Sequence, residues 1–207
     1  MNIYKNNNID KVLGLLIFII FISSWYIFPS WAVNIICLSM SSGLVVLGLL
    51  VLIRSGLISF GQGLYYCLGG YSAALSYIYF SIKDVFILSL VSIIVCFIIS
   101  FILGFFVRRY RGIFFAMINL AFSMILFGII VKSVTLGSTD GFSIQEVTVF
   151  GFNHTDGKRL NIFLYLYFVF ISFISMILLN RYLNSPRGMI LEAIRDNEIR
   201  VEYLGIN

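Results

Sequence analysis

VFILSLVSIIVCFIISFILGFFV, residues 85–107, holds no charged side chain and is bracketed by Asp84 and Arg108. Its length matches the ~20 residues that carry a helix across ~30 Å of hydrocarbon. It holds no charge to turn toward water over that whole length, so a helix formed here needs lipid as its solvent. The same pattern repeats on either side. No charge occurs between Lys11 and Arg54, and Phe28, Pro29 and Ser30 divide that stretch into spans at about Val12–Phe28 and Ala32–Ile53. Ser55 to Ile82 is again uncharged but rich in glycine, and further spans lie at about Gly112–Val131 and Leu160–Asn180. The expected fold class is therefore all-α: a polytopic transmembrane bundle of about six helices over residues 1–183, followed by a cytoplasmic amphipathic helix in 184–207.

Composition agrees. Over 207 residues, 60% are hydrophobic and only 11% charged, more apolar surface than a water-soluble domain of this size can hide. Lys5 and Lys11 ahead of an apolar run are also the opening of a secretory signal, but the run continues into Trp25, Tyr26 and Phe28 with no small-residue cleavage site, which favours a retained helix. Placing the N-terminus inside puts Lys5, Lys11, Arg54, Arg108, Arg109, Arg111 and Arg181 on the cytoplasmic side and leaves Lys83, Lys132, Lys158 and Arg159 outside, as the positive-inside rule prefers. The expected location is a bacterial cytoplasmic membrane. Topology accounts for the net charge of +5, and no basic stripe interleaved with aromatics points to a nucleic-acid partner.

Chemistry is sparse. Cys37, Cys67 and Cys96 lie in separate spans, and His154 stands alone beside Asp156 in an external loop, so neither a metal, a cofactor nor an enzymatic centre is expected. The spans carry no Asp, Glu, Lys, Arg or His, which argues against proton coupling. Gly61, Gly63, Gly69 and Gly70 do not make a phosphate-binding loop, because they sit in a hydrophobic segment. Two readings of that segment stay open. Gly69 with Ala73 and Gly70 with Ala74 are one turn apart and suit close helix packing; Gly56, Gly61 and Gly63 suit a bend or break of the kind that lines a cavity. Gln62 and Asn119 are candidates to line a path or to bond a neighbouring helix.

The C-terminal stretch SPRGMILEAIRDNEIRVEYLGIN, from Ser185, differs in kind. Ser185 is a candidate N-cap, Pro186 a first helical residue and Gly205 a terminator. Ile190, Ile194, Val201 and Leu204 share one face of a continuous helix, and Asp196 can pair with Arg200 four residues on. Ile199 and Tyr203 form a second apolar pair on the opposite side, which suggests two neighbours: the chain's own membrane domain and a partner protein. A helix lying on the lipid surface is the alternative.

This run, with its AIRDNEI core and following LGIN, resembles the cytoplasmic coupling segment of permeases in branched-chain amino acid ABC transporters. SGLISFGQGLYYCLGGYSAAL and RRYRGIFFAMINLAFSMILFG are similar to two further segments of that family, and TLGSTDGFSI to its external glycine loop. The resemblance implies a permease subunit that pairs with a second permease, is driven by two cytoplasmic ABC ATPases and receives substrate from an extracytoplasmic binding protein. Arg195, Asp196 and Glu198 match the coupling motif, and Glu192, Ile199 and Tyr203 complete the expected ATPase contact. Val201 stands where an alanine is usual, and Asn119 where a threonine is. Family members continue past this segment with more transmembrane helices, whereas the sequence stops at Asn207, so a truncated permease is the expectation. Other expectations are a urea or short-amide permease, a truncated product without transport, and an ion-gradient-driven carrier.

Overall fold

The computed structural model describes residues 7–144, 147–149, 157–203 and 205. Six long helices run α1 (Asn7–Ile27), α2 (Ser30–Arg54), α3 (Gln62–Phe80), α4 (Val85–Val107), α5 (Gly112–Lys132) and α6 (Gly157–Leu183), and α7 (Pro186–Tyr203) follows. A short 3-10 turn at Val134–Leu136 succeeds α5. By length and composition, Ser30–Arg54, Val85–Val107, Gly112–Lys132 and Leu160–Leu183 are long and apolar enough to cross a bilayer. The described apolar part of α1, Leu16–Ile27, is shorter, and α3 is diluted by glycine, serine and tyrosine. His154, Asp156 and Leu204 lie outside the described residues.

Local chemistry sets the boundaries. Pro29 is extended at φ −68°, ψ 159°, and its carbonyl accepts from the backbone N–H of Ala32 and Val33 at 3.0 and 3.2 Å, starting α2 where proline ends α1. The glycine-rich segment does not begin as a helix. A loop from Ser55 to Gly61 separates α2 from α3, with Gly56 at φ +80°, a conformation that favours glycine. Gly61 precedes the first residue of α3 and Gly63 lies within its first turn. The loop lies between α2 and α3, and α3 itself begins at Gln62.

Large apolar side chains cover the outside: Ile93, Phe97 and Phe101 of α4 are each about 70% exposed on the chain, a surface that only lipid or protein satisfies. Inside, the helices pack as two groups of three. α2 lies along α6, with α1 against both; α3 lies along α4, with α5 against both. Among the described helices, the backbones of the two groups approach one another only where α2 passes into α3. The first group has an aromatic core of Val33, Tyr165 and Val169, wrapped by Phe18, Phe21, Trp25 and Phe173. Within it the Tyr165 hydroxyl is 2.6 Å from Ser24 Oγ and 2.8 Å from the Phe21 carbonyl, so the polar tip of a buried ring is satisfied across two helices.

The second group is joined by small residues. Ser72, Ala74 and Ser76 are buried on α3, and a Cβ placed on Gly69 would stand 3.7 Å from Cys96 Sγ of α4, an ordinary packing contact. Across the seam between the groups, Ser41 donates to the Tyr66 hydroxyl at 3.0 Å. Ser89 meets the Tyr167 hydroxyl at 2.7 Å, and the rings of Phe86 and Tyr167 are 4.5 Å apart, edge to face. An open apolar groove lies here, lined by Phe18, Ile22, Phe86, Phe163 and Tyr167 among others. At the same end Thr148 bridges to the α3–α4 turn, donating its N–H to the Lys83 carbonyl at 2.9 Å and its hydroxyl to the Asp84 carboxylate at 2.8 Å.

Candidate functional site: the charged helix at the basic end

α2 ends at Arg54; Arg108, Arg109 and Arg111 lie in the turn from α4 to α5, and Arg181 is in the last turn of α6. α7 folds back so that its acidic residues meet Arg54 and Arg111. The turn from α6 is tight. Ser185 Oγ accepts the Gly188 N–H at 3.4 Å, the N-cap arrangement expected of Ser185 with Pro186 at the first helical position. Gly188 is buried and rests on the Tyr182 and Leu183 carbonyls so closely that a Cβ would overlap them.

Two arginines the sequence reading did not single out hold α7 in place. Arg54, the last residue of α2, donates from Nε to Glu192 Oε1 at 2.6 Å and from Nη1 to the Leu183 carbonyl at 3.2 Å. One guanidinium therefore joins three helices, and it supplies a cation to an otherwise orphan carbonyl at the C-terminus of α6. Arg111, immediately before α5, pairs with Glu198. Arg195 lays its stem over Gly56, whose missing Cβ would stand 2.9 Å from Arg195 Cγ, and its Nε is 3.5 Å from Asp196 Oδ1.

The continuous helix expected from Ser185 to Gly205 is corrected by the structure. Asn197 is extended at φ −162°, ψ 99°, and its side-chain oxygen accepts the Arg200 N–H at 3.1 Å. Asn197 is thus the N-cap of a second short helical segment, with Arg200 at the third position. The break also removes the expected Asp196–Arg200 pair, since Asp196 faces Arg195 instead and four-residue spacing no longer places the two on one face. Gly205 is at φ +80° and closes the segment as a helix terminator does.

The six residues expected at a partner contact are thereby divided. Glu192 and Glu198 face arginines of the same chain, and Arg195 packs on Gly56. Asp196, Ile199 and Tyr203 point away, with side-chain exposure of 74% for Asp196 and residue exposures of 64% and 87% for Ile199 and Tyr203. Val201, in contrast, is buried.

The other candidates sit in the second helix group. Asn119 is buried, donates to its own helix at the Phe115 carbonyl at 2.9 Å, and lies against the start of α3: a Cβ on Gly61 would come within 2.7 Å of the Asn119 carbonyl oxygen. Gln62 next to it is half-buried. Gly63 and Gly70 have no atom of another element within 4 Å of a Cβ position, so in this chain neither is a close approach. No group of three His, Cys, Asp or Glu side chains suited to a metal occurs among the described residues.

The fold defines an all-α, multi-pass membrane protein, and among the described helices α7 is the hydrophilic one. The chain belongs to the permease-component family of branched-chain amino acid transport systems, whose model matches residues 31–207. Members of this family are transport components and not enzymes. The chain is 27% identical to the high-affinity branched-chain amino acid transport system permease protein LivM of Salmonella typhimurium, over 97% of this chain and 52% of that protein. It is 30% identical to the protein of the same name from Escherichia coli, over 84% of this chain and 46% of that protein. It spans about half the length of these curated relatives. No solved structure matches.

Proposed function

We propose that this chain forms membrane-spanning helices of a permease subunit in an ATP-driven importer of branched-chain amino acids, with the outward face of α7 as the seat of a cytoplasmic ATPase. The observation that carries this reading is the exposure of Ile199 and Tyr203 on a helix otherwise tied to its own membrane domain. An apolar pair left in water on a charged helix is the kind of central anchor that a groove on a partner covers. In this reading the N-terminus and α7 are cytoplasmic, as the arginines at that end favour. A second permease completes the path and an extracytoplasmic binding protein delivers substrate.

Uptake of labelled leucine by cells carrying Ile199→Glu with Tyr203→Glu tests it. Loss of a two-residue anchor, each worth about 2 kcal/mol when central, lowers uptake at least about tenfold with the protein at its normal level in the membrane. Undiminished uptake in that variant, or uptake that survives ATP depletion, overturns the reading.

A further inference from the structure

The two halves of α7 are attached to different parts of the bundle. The first half, Pro186 to Asp196, is tied to the α1–α2–α6 group: it continues from α6 through Gly188, Glu192 accepts from Arg54 of α2, and the Arg195 stem covers Gly56 just beyond α2. The second half, from Glu198 onward, is paired with Arg111 at the head of α5, and α5 belongs to the α3–α4–α5 group. The break at Asn197 falls between the two attachments. Elsewhere the seam between the groups is closed by the α2–α3 connection and by a few side chains, Ser41 with Tyr66 and Ser89 with Tyr167.

We infer that α7 is a jointed strap across the two helix groups, with Arg54 and Arg111 as positioning residues that hold its halves through Glu192 and Glu198, and Asn197 as the joint. A single straight helix fixes one orientation relative to both groups. A capped break lets each half keep its own ion pair while the angle between them changes, and Asn197 stabilises the break by receiving the Arg200 N–H, a role that asparagine and aspartate fill about equally and alanine does not. The inference concerns the side of α7 turned toward the bundle; its bearing on transport rests on the docking proposed above.

Cross-linking in native membrane vesicles tests it, in a chain whose native cysteines are serine. A short bis-maleimide reports the second half through Tyr110→Cys with Glu202→Cys, and the first half through Ile53→Cys with Met189→Cys. Arg111→Glu should cut the first of these yields by on the order of threefold to fivefold, the shift an exposed ion pair supports, and leave the second unchanged. Adding Glu198→Arg should restore it. Arg54→Glu should act on the other pair alone, with rescue by Glu192→Arg. Asn197→Ala should lower the Tyr110–Glu202 yield and Asn197→Asp should keep it. The inference is overturned if a reversal lowers both yields or neither, if the double reversals fail to rescue, or if Asn197→Ala matches Asn197→Asp. Because the yields are read without nucleotide, they stand or fall independently of the ATPase reading, which the uptake of the Ile199 and Tyr203 variant decides.

Discussion

The two helix groups solve one packing problem with opposite materials. In α1–α2–α6 the space between helices is filled by Phe18, Phe21, Trp25, Tyr165 and Phe173 around Val33 and Val169, and the ring hydroxyl of Tyr165 supplies the polar link. In α3–α4–α5 the helices close in on glycine, alanine and serine, and Gly61 lies on the backbone of α5 at Asn119. Lipid competes with side chains for apolar contact, so association inside a bilayer comes from fit and from satisfied polar groups. Large rings achieve fit by filling; small residues achieve it by approach. The first kind fails by losing volume and the second by gaining it.

The largest effect should come from adding volume where approach is closest. Gly61→Leu drives a side chain into the Asn119 carbonyl, which belongs to backbone and has nowhere to yield; a loss of about 3 kcal/mol or more would appear as a collapse of the thermal transition of the detergent-solubilised protein. Next comes removal of volume from the aromatic group. Tyr165→Ala should cost about 3 kcal/mol by analogy with other buried aromatics, read as a lower melting temperature. Tyr165→Phe keeps the ring and isolates the hydroxyl; a loss of about 0.6 kcal/mol, typical of intramembrane hydrogen bonds, should move that midpoint by only a few degrees. The smallest effect should be at Gly70, where no neighbour stands within 4 Å. Gly70→Ala should leave the transition unchanged or raise it slightly, since alanine gains up to about 1 kcal/mol in a helix interior. A large loss at Gly70 would place a further helix against that face of α3.

Gly61 and Gly70 also mark how far the sequence could be read. Both stood in one glycine-rich run, and nothing in their immediate neighbours told them apart, because the difference lies in what α5 brings alongside. Spans and turns were legible for the opposite reason: Pro29, the charge-free runs, the Ser185 cap and Gly205 act through the local chain. Asn197 was hidden within AIRDNEIRVEY, a stretch without proline or glycine whose apolar positions fit an unbroken helix, and only the capping preference of asparagine hinted at a break. Arg54 and Arg111 looked like ordinary positive-inside charges. Their pairing with Glu192 and Glu198 depends on how α7 folds back, although an acidic helix following a basic membrane face was a usable clue.

The turn at Gly188 leaves no slack. Its backbone rests directly on the Tyr182 and Leu183 carbonyls, so α6 and the first half of α7 meet in an elbow that a side chain at Gly188 would force open. That half extends roughly 15 Å at about 1.5 Å per residue, so a change of about 10° in its direction moves the Asn197 end by about 2.5 Å. A side chain too small to alter the membrane helices themselves is thereby felt at the far end of the strap.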